Sequence, residues 1–187
     1  MERPYAWWPA LSSVARRNEQ ACAGGPMAAK NAAMESVPPI YRTAQAAARI
    51  ALVAESFARL LGRPLVAAGR EPVTALWAAP QVIVAHGTEE DPLFFFGNRA
   101  ALARFGCTAE DFAGMPSRLS AEAPLREERR ALLDRVRRDG FITDYAGVRI
   151  AASGQRFRIE QAVVWNLVDA DGAMRGQAAA FDRWTEL

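Results

Sequence analysis

SGQRFRIEQAVVWNLVDADG, residues 153–172, is the stretch whose reading decides the fold. Ser153-Gly154 opens it and Asp169-Ala170-Asp171-Gly172 closes it, both strong turn signals. Between them Phe157, Ile159, Val163, Trp165 and Leu167 stand at odd positions, and Arg156, Arg158, Glu160 and Asn166 at even ones. Successive strand side chains point to opposite faces, so the alternation predicts a long strand with one apolar face. Gln161 falls on that apolar face, while Val164 and Val168 fall on the polar one. A strand of this length, turned at both ends, belongs in the middle of an antiparallel sheet.

Outward from this stretch the pattern continues. Phe141 to Ala151, Gln155 to Val168 and Ala173 to Arg183 read as three strands, joined by turns at Ser153-Gly154 and Asp171-Gly172. Before them, Pro124 opens an expected helix from Leu125 to Arg138, closed by Asp139-Gly140. Thr108 with Asp111 resembles a capping box, and Asn98 suits the N-cap of a helix from Ala100 to Phe105. Gln81 to His86 and Leu93 to Phe96 read as a strand pair around a polar turn. Val73 to Ala78 is expected to form a helical turn presenting Trp77 to the core. Ile40 to Leu61 is the clearest helix, with Ile50, Val53, Phe57, Leu60 and Leu61 as its apolar stripe and Gly62 as its stop. Strands, short helices and three long strands together give an α+β fold: one antiparallel sheet with helices on one face.

Composition bounds the rest. The 187 residues suit one domain, placed at 40–187, behind an extension at 1–39 that shows no sustained period. That extension is expected to be poorly ordered, with a short helix around Leu11 to Ala21. Trp7 and Trp8 within it are read as incidental, and Met27 and Met34 as alternative starts. The balance of 23 basic to 21 acidic residues argues against nucleic acid or a membrane surface as partner. Lys30 is the only lysine, so the basic character is arginine. Cys22 and Cys107 are too far apart in sequence to suggest a disulfide framework or zinc site, and fit reduced thiols in a cytoplasm. No apolar run is long enough for a membrane span, and no secretory pattern is present.

The segment from Phe96-Gly97-Asn98-Arg99-Ala100-Ala101 to Phe105-Gly106-Cys107-Thr108-Ala109-Glu110-Asp111-Phe112-Ala113-Gly114 resembles the PAS pattern, in which an Asn-x-Ala opens a helix and a Phe-Gly turn follows. A closer resemblance, over about Ala54 to Trp184, is to the MEKHLA domain, a PAS-like module. It is carried by Ser56-Phe57-x-Arg59-Leu60-Leu61-Gly62-Arg63-Pro64-Leu65, His86-Gly87-Thr88-Glu89, Met115-Pro116-Ser117-Arg118-Leu119 and Arg126-Glu127-Glu128-Arg129. Further along, Gly140-Phe141-Ile142-x-Asp144-Tyr145-x-Gly147-Val148-Arg149-Ile150, Val164-Trp165-Asn166-Leu167 and Gly176-Gln177-Ala178-Ala179 complete it. The resemblance implies a five-stranded PAS-like antiparallel sheet, an N-terminal flanking helix, and a sensory or protein-interaction role with no set ligand. The domain also ends plant homeodomain–leucine zipper factors and stands alone in bacteria. This chain carries no basic-region zipper, so DNA binding does not carry over.

Candidate chemistry is sparse. His86 is the only histidine, and the expected helix where PAS relatives place a haem ligand, Leu125 to Arg138, has none, so haem is not expected. Cys107 lacks the context in which light-sensing relatives form a cysteinyl-flavin adduct, so that is not expected either. The arginines of Arg126 to Arg138 interleave with Glu127, Glu128, Asp134 and Asp139, as on a solvated helix face. Gln161, on the expected buried face, needs partners, because an unpaired buried amide costs about 1–3 kcal/mol. Its candidate partners are a ligand, a water, Arg118 and Tyr145; two arrangements fit, a small-molecule pocket bordered by Gln161, Trp165, Tyr145 and Phe141, or a well-packed core with one internal hydrogen bond.

Three functions fit. The first is a sensory or regulatory module that binds a small molecule or a protein and signals through helix 40–61 or a homodimer built on that helix and the sheet face. The second is a small enzyme of cone-shaped α+β fold, in which Asp144 works with His86 or Tyr145. The third is a structural dimerisation module. Asp144 buried within hydrogen-bond reach of His86 or Tyr145 would select the enzyme.

Overall fold

A computed structural model describes residues 36–121, 132, 135, 136 and 138–187. The expectations for the N-terminal extension and for most of Leu125–Arg138 lie outside these residues. Val37–Leu187 forms one compact unit.

The first helix, α1 (Ala44–Leu61), starts where Thr43 accepts a hydrogen bond from the Ala46 N–H and stops at Gly62, in the left-handed conformation. It begins later than Ile40 because Pro39–Tyr41 forms a separate 3-10 turn. That turn drives Tyr41 into the core, edge-on to Phe96 at 5.2 Å, where its hydroxyl accepts from the Gly97 N–H at 3.3 Å. Burial raises the Tyr41 phenol above its ordinary pKa. Helix α2 (Pro72–Ala78) is capped by Glu71, whose carboxylate accepts from the Val73 and Thr74 N–H groups, and it buries Trp77 as expected. Helices α3 (Arg99–Phe105) and α4 (Ala109–Phe112) open at the predicted caps, Asn98 and Thr108. The described residues just before Gly140, Leu132, Arg135, Val136, Arg138 and Asp139, are helical.

The strands are β1 (Val82–His86), β2 (Phe94–Gly97), β3 (Phe141–Ile150), β4 (Arg156–Val168), β5 (Met174–Phe181) and β6 (Arg183–Glu186). They form one six-stranded sheet in the order β2-β1-β5-β4-β3, and β6 also pairs with β4. All pairings are antiparallel. The expected last strand, Ala173 to Arg183, is divided at Asp182. Because Val163 faces Ala180 and Glu160 faces Arg183, β6 continues the register of β5 along β4.

The break has its counterpart in β4. Tyr145 faces Ala162, and Gly147 faces Ile159, so β4 advances three residues while β3 advances two. The extra residue is a β-bulge, and Gln161 takes it up at φ 52°, in the left-handed region. A bulge reverses the inside–outside alternation beyond it. Phe157 and Ile159 are therefore on the same face as Val164, and Trp165 turns to the other. This corrects the sequence reading, which put Phe157, Ile159, Gln161, Trp165 and Leu167 on one face. Gln161 is exposed, and its Oε1 accepts from Arg183 at 2.7 Å.

The two sheet faces are covered by different helices. On the outer face α1 packs against β4: the Trp165 indole meets Phe57 edge-on at 5.0 Å and donates to the Val53 carbonyl at 3.2 Å. Ser56 donates to the Val168 carbonyl and accepts from the Val168 N–H, and Arg59 donates to the Val168 and Asp169 carbonyls. On the inner face α3 and α4 pack a run of rings: Phe94 on Phe112 at 4.4 Å, Phe105 near Phe112 at 5.8 Å, and Phe105 on Phe157 at 5.6 Å. The N-terminal helix thus covers the face opposite α3 and α4.

Gly176 sits on β5 beside the end of β1, next to the Gln177–His86 pair. It has φ 149°, and a Cβ there would overlap the carbonyl oxygen of His86. Gly176→Ala is expected to cost about 1–3 kcal/mol, the range for forcing atoms into a packed site, read as a lower denaturation midpoint.

Candidate functional site

The inner face of the sheet and the helices over it border an open-sided cavity of about 730 Å³. That lies within the range of small-molecule sites, about 300–1,000 Å³. Its apolar lining comes from Val84, Phe94, Phe105, Ile159, Val164, Ala179 and Phe181. The reversed alternation of β4 brings Ile159 and Val164 to the same lining. Leu132, Arg135 and Val136 reach it from the helix before β3, and Ser117 and Ser120 from the 3-10 turn Ser117–Ser120.

Polar groups stand at defined points around this apolar surface. Gln177, buried on β5, donates to the side chain of Asn166 at 3.2 Å. Asn166, also buried, donates to the Val136 carbonyl at 2.9 Å, and its N–H donates to the Gly140 carbonyl at 2.9 Å. An amide chain thus runs from the cavity to the end of the helix that borders it. The His86 Nδ1 is hydrogen-bonded with the Gly87 carbonyl at 2.9 Å, which holds the ring in one orientation at the end of β1. Tyr145 lines the cavity, and its hydroxyl accepts from Arg149 at 3.0 Å. Asp144 is exposed and bound to Arg135 at 3.0 Å.

The five residues expected around a pocket separate in three dimensions. Tyr145 lines the cavity. Trp165 is fully buried on the outer face beneath α1, and Phe141 is its cross-strand partner. Gln161 lies at the bulge on the surface. Arg118 is exposed and paired with Asp91 at 3.0 Å, so it is not a partner of Gln161. Gln177, which lines the cavity, and Asn166, which holds it, went unrecognised. Their signal was a single amide inside an apolar strand run, Val164-Trp165-Asn166-Leu167, and another beside three alanines, Gln177 to Ala180.

Cys107 is half-buried, and its thiol is pushed up to about 12 by burial and then by the nearby charge of Asp111. It stays protonated at neutral pH and is not among the residues lining the cavity. Asp144 is held by Arg135 at the surface rather than in a buried acid–base pair with His86 or Tyr145. Among the described residues there is no group of three or more His, Cys, Asp or Glu placed to hold a metal ion. No described helix is long and apolar enough to cross a membrane.

The family model of the MEKHLA domain matches residues 47–186. The chain belongs to the MEKHLA family. Its MEKHLA domain takes in most of α1 and all six strands, a wider span than the resemblance read over 54–184. Among curated proteins, none matches the chain. The domain's fold is that of PAS and light-oxygen-voltage domains. One similar solved structure is a variant of Vivid, with 15% identity, covering 70% of this chain and 99% of that one at a TM-score of 0.51. Another is an RNA-binding light-oxygen-voltage receptor, with 19% identity, covering 58% of this chain and 30% of that one at a TM-score of 0.50. A PAS domain from Colwellia psychrerythraea is 15% identical and covers 60% of this chain and 91% of that one at a TM-score of 0.48. At these identities the likeness is one of fold.

Proposed function

We propose that this MEKHLA domain is a sensory or regulatory module in which a small molecule in the inner-face cavity biases the packing of α1 on the outer face. The observation that carries the reading is in β4. Val164 lines the cavity, and the next residue, Trp165, is bonded to α1. A single strand's thickness separates ligand from helix. A shift of β4 that accommodates a ligand moves the Trp165 indole against Val53 and Phe57, and the Val168 backbone against Ser56 and Arg59. Gln177 and Asn166 extend the same coupling to the helix before β3. A ligand can shift such an equilibrium only by its differential affinity for the two arrangements, so the cavity has to change shape between them.

The apolar stripe of α1 is engaged within the chain, with Ile50, Val53 and Phe57 all buried. Signalling to a partner protein or a second copy would then use the helix's exposed side, or expose the stripe when α1 is released.

The test is native mass spectrometry of the full chain purified from its own host, compared with the same sample denatured. The expected result is a bound mass of a few hundred daltons, on the order of what a cavity of this size holds, lost on denaturing. A chain that is free of ligand, and that keeps the same hydrogen-exchange protection of α1 whatever small molecules are added, would overturn the sensor reading. The same spectra report whether the chain is a monomer or a dimer.

A further inference from the structure

We propose that the cavity selects a small organic anion of the carboxylate class, held by a clamp made of Arg149 and Tyr145 over Gly147. This rests on the reading of the cavity as a ligand site and adds the chemistry of the ligand.

Tyr145, Gly147 and Arg149 stand opposite Ala162, Ile159 and Phe157 of β4, which puts them on the inner face, and all three line the cavity. Gly147, between the other two, has no side chain, and the space above it is taken by theirs. A Cβ at Gly147 would meet the Tyr145 hydroxyl at 2.5 Å and the Arg149 Nη1 at 3.4 Å. Arg149 donates from Nη2 to the Tyr145 hydroxyl at 3.0 Å and from Nη1 to the Val148 carbonyl at 3.1 Å. These two bonds fix the plane of the guanidinium, and among the described residues its other N–H groups have no hydrogen-bond acceptor. The Tyr145 oxygen accepts from Arg149, so its own proton is available to a further acceptor.

Among the described residues no carboxylate reaches Arg149. The acidic residue at the cavity, Asp144, is bound to Arg135. Arg149 is half-buried beside an apolar surface, and its partners are two neutral oxygens and the Tyr145 ring, 5.2 Å from the guanidinium carbon, so its charge is not neutralised by a described carboxylate and can take an anion. The planar fork of an arginine matches a carboxylate, with two parallel N–H groups for two oxygens. Of the other two described arginines that line the cavity, Arg135 is already paired with Asp144 and Arg158 is exposed, so the clamp itself offers one guanidinium and one hydroxyl, which suit a single negative charge better than a phosphate dianion. Phe105, Ile159 and Phe181 then offer an apolar surface to the body of the ligand.

The experiment is ligand-observed NMR on the full chain with matched acid and amide pairs: benzoate and benzamide, octanoate and octanamide, 2-naphthoate and 2-naphthamide. Each amide keeps the shape of its acid and removes the charge. The expected result is that at least one acid binds about tenfold more tightly than its amide, a difference of about 1.4 kcal/mol. Arg149→Met should bring acid and amide within about twofold, and Tyr145→Phe should weaken the acid by about threefold. The thermal melts of both variants establish that they fold, and Tyr145→Phe removes only the hydroxyl. Amides that bind as well as their acids, or an acid preference that survives Arg149→Met, would refute the anion inference and leave the cavity reading standing. No binding by any pair at about 1 mM would also refute it, and the native mass spectra then decide the cavity reading separately.

Discussion

Asn98→Ala is expected to destabilise the domain by about 3–4 kcal/mol, because it leaves several buried polar groups without partners at once, each costing about 1–3 kcal/mol and not adding fully. Asn98 is fully buried. Its Oδ1 accepts from the Ala101 N–H at 2.9 Å, capping α3, and from the Ile83 N–H at 3.0 Å, on β1. Its Nδ2 donates to the Ala79 carbonyl at 3.2 Å and to the Gln81 carbonyl at 2.8 Å. One amide therefore joins the end of α2, the start of β1 and the start of α3. A surface cap replaced by alanine costs about 1 kcal/mol, since water takes over the freed N–H. Here water is excluded. Asn98→Asp keeps the acceptors but loses both donors and sets a carboxylate against two carbonyl oxygens, so it is not expected to rescue. Urea unfolding measures the effect: the midpoint should fall while the slope stays constant. A loss near 1 kcal/mol would mean that Asn98 acts as an ordinary helix cap.

Trp165→Ala is expected to be of similar size, about 3–5 kcal/mol, through the loss of a large buried side chain and the cavity left behind. The indole is fully buried against Phe57 and holds the Val53 carbonyl. The loss should fall unevenly. α1 should lose hydrogen-exchange protection first, because Trp165 is its main anchor on β4, while the strand ladder β1-β5-β4-β3 keeps its own hydrogen bonds. Trp165→Phe keeps most of the apolar area and removes only the N–H, so it should cost about 1 kcal/mol, the ordinary net value of one hydrogen bond. If Trp165→Ala lowered protection uniformly along the chain, α1 would not be a separately releasable element, and the proposed signalling route would fail with it.

The amino-acid sequence by itself determined what depends on neighbours in the chain. Asn98 and Thr108 cap helices, Gly62 and Gly106 stop them in the left-handed conformation, and Gly154 and Gly172 turn the strands, through contacts a few residues long. Such signals are legible because the group that satisfies each N–H or carbonyl is encoded nearby. The strands themselves were legible from alternation. Which way each strand faces was not, because facing is set by register against a neighbour distant in sequence. Two adjacent polar residues, Glu160-Gln161, were the local trace of the bulge, and a strict period of two read them as one side chain misplaced on the apolar face. The bulge forms because β3 and β4 must each bury apolar groups on both sides of the sheet: Ile159 and Val164 inward, Trp165 and Leu167 outward. Only the tertiary structure decided that α1 covers one face and the cavity the other. Only it gave Arg149 a cavity to line with no carboxylate of the described residues in reach. The physical reason is the same in each case: burial is a property of which surfaces meet, and here they come from segments separated by up to 112 positions.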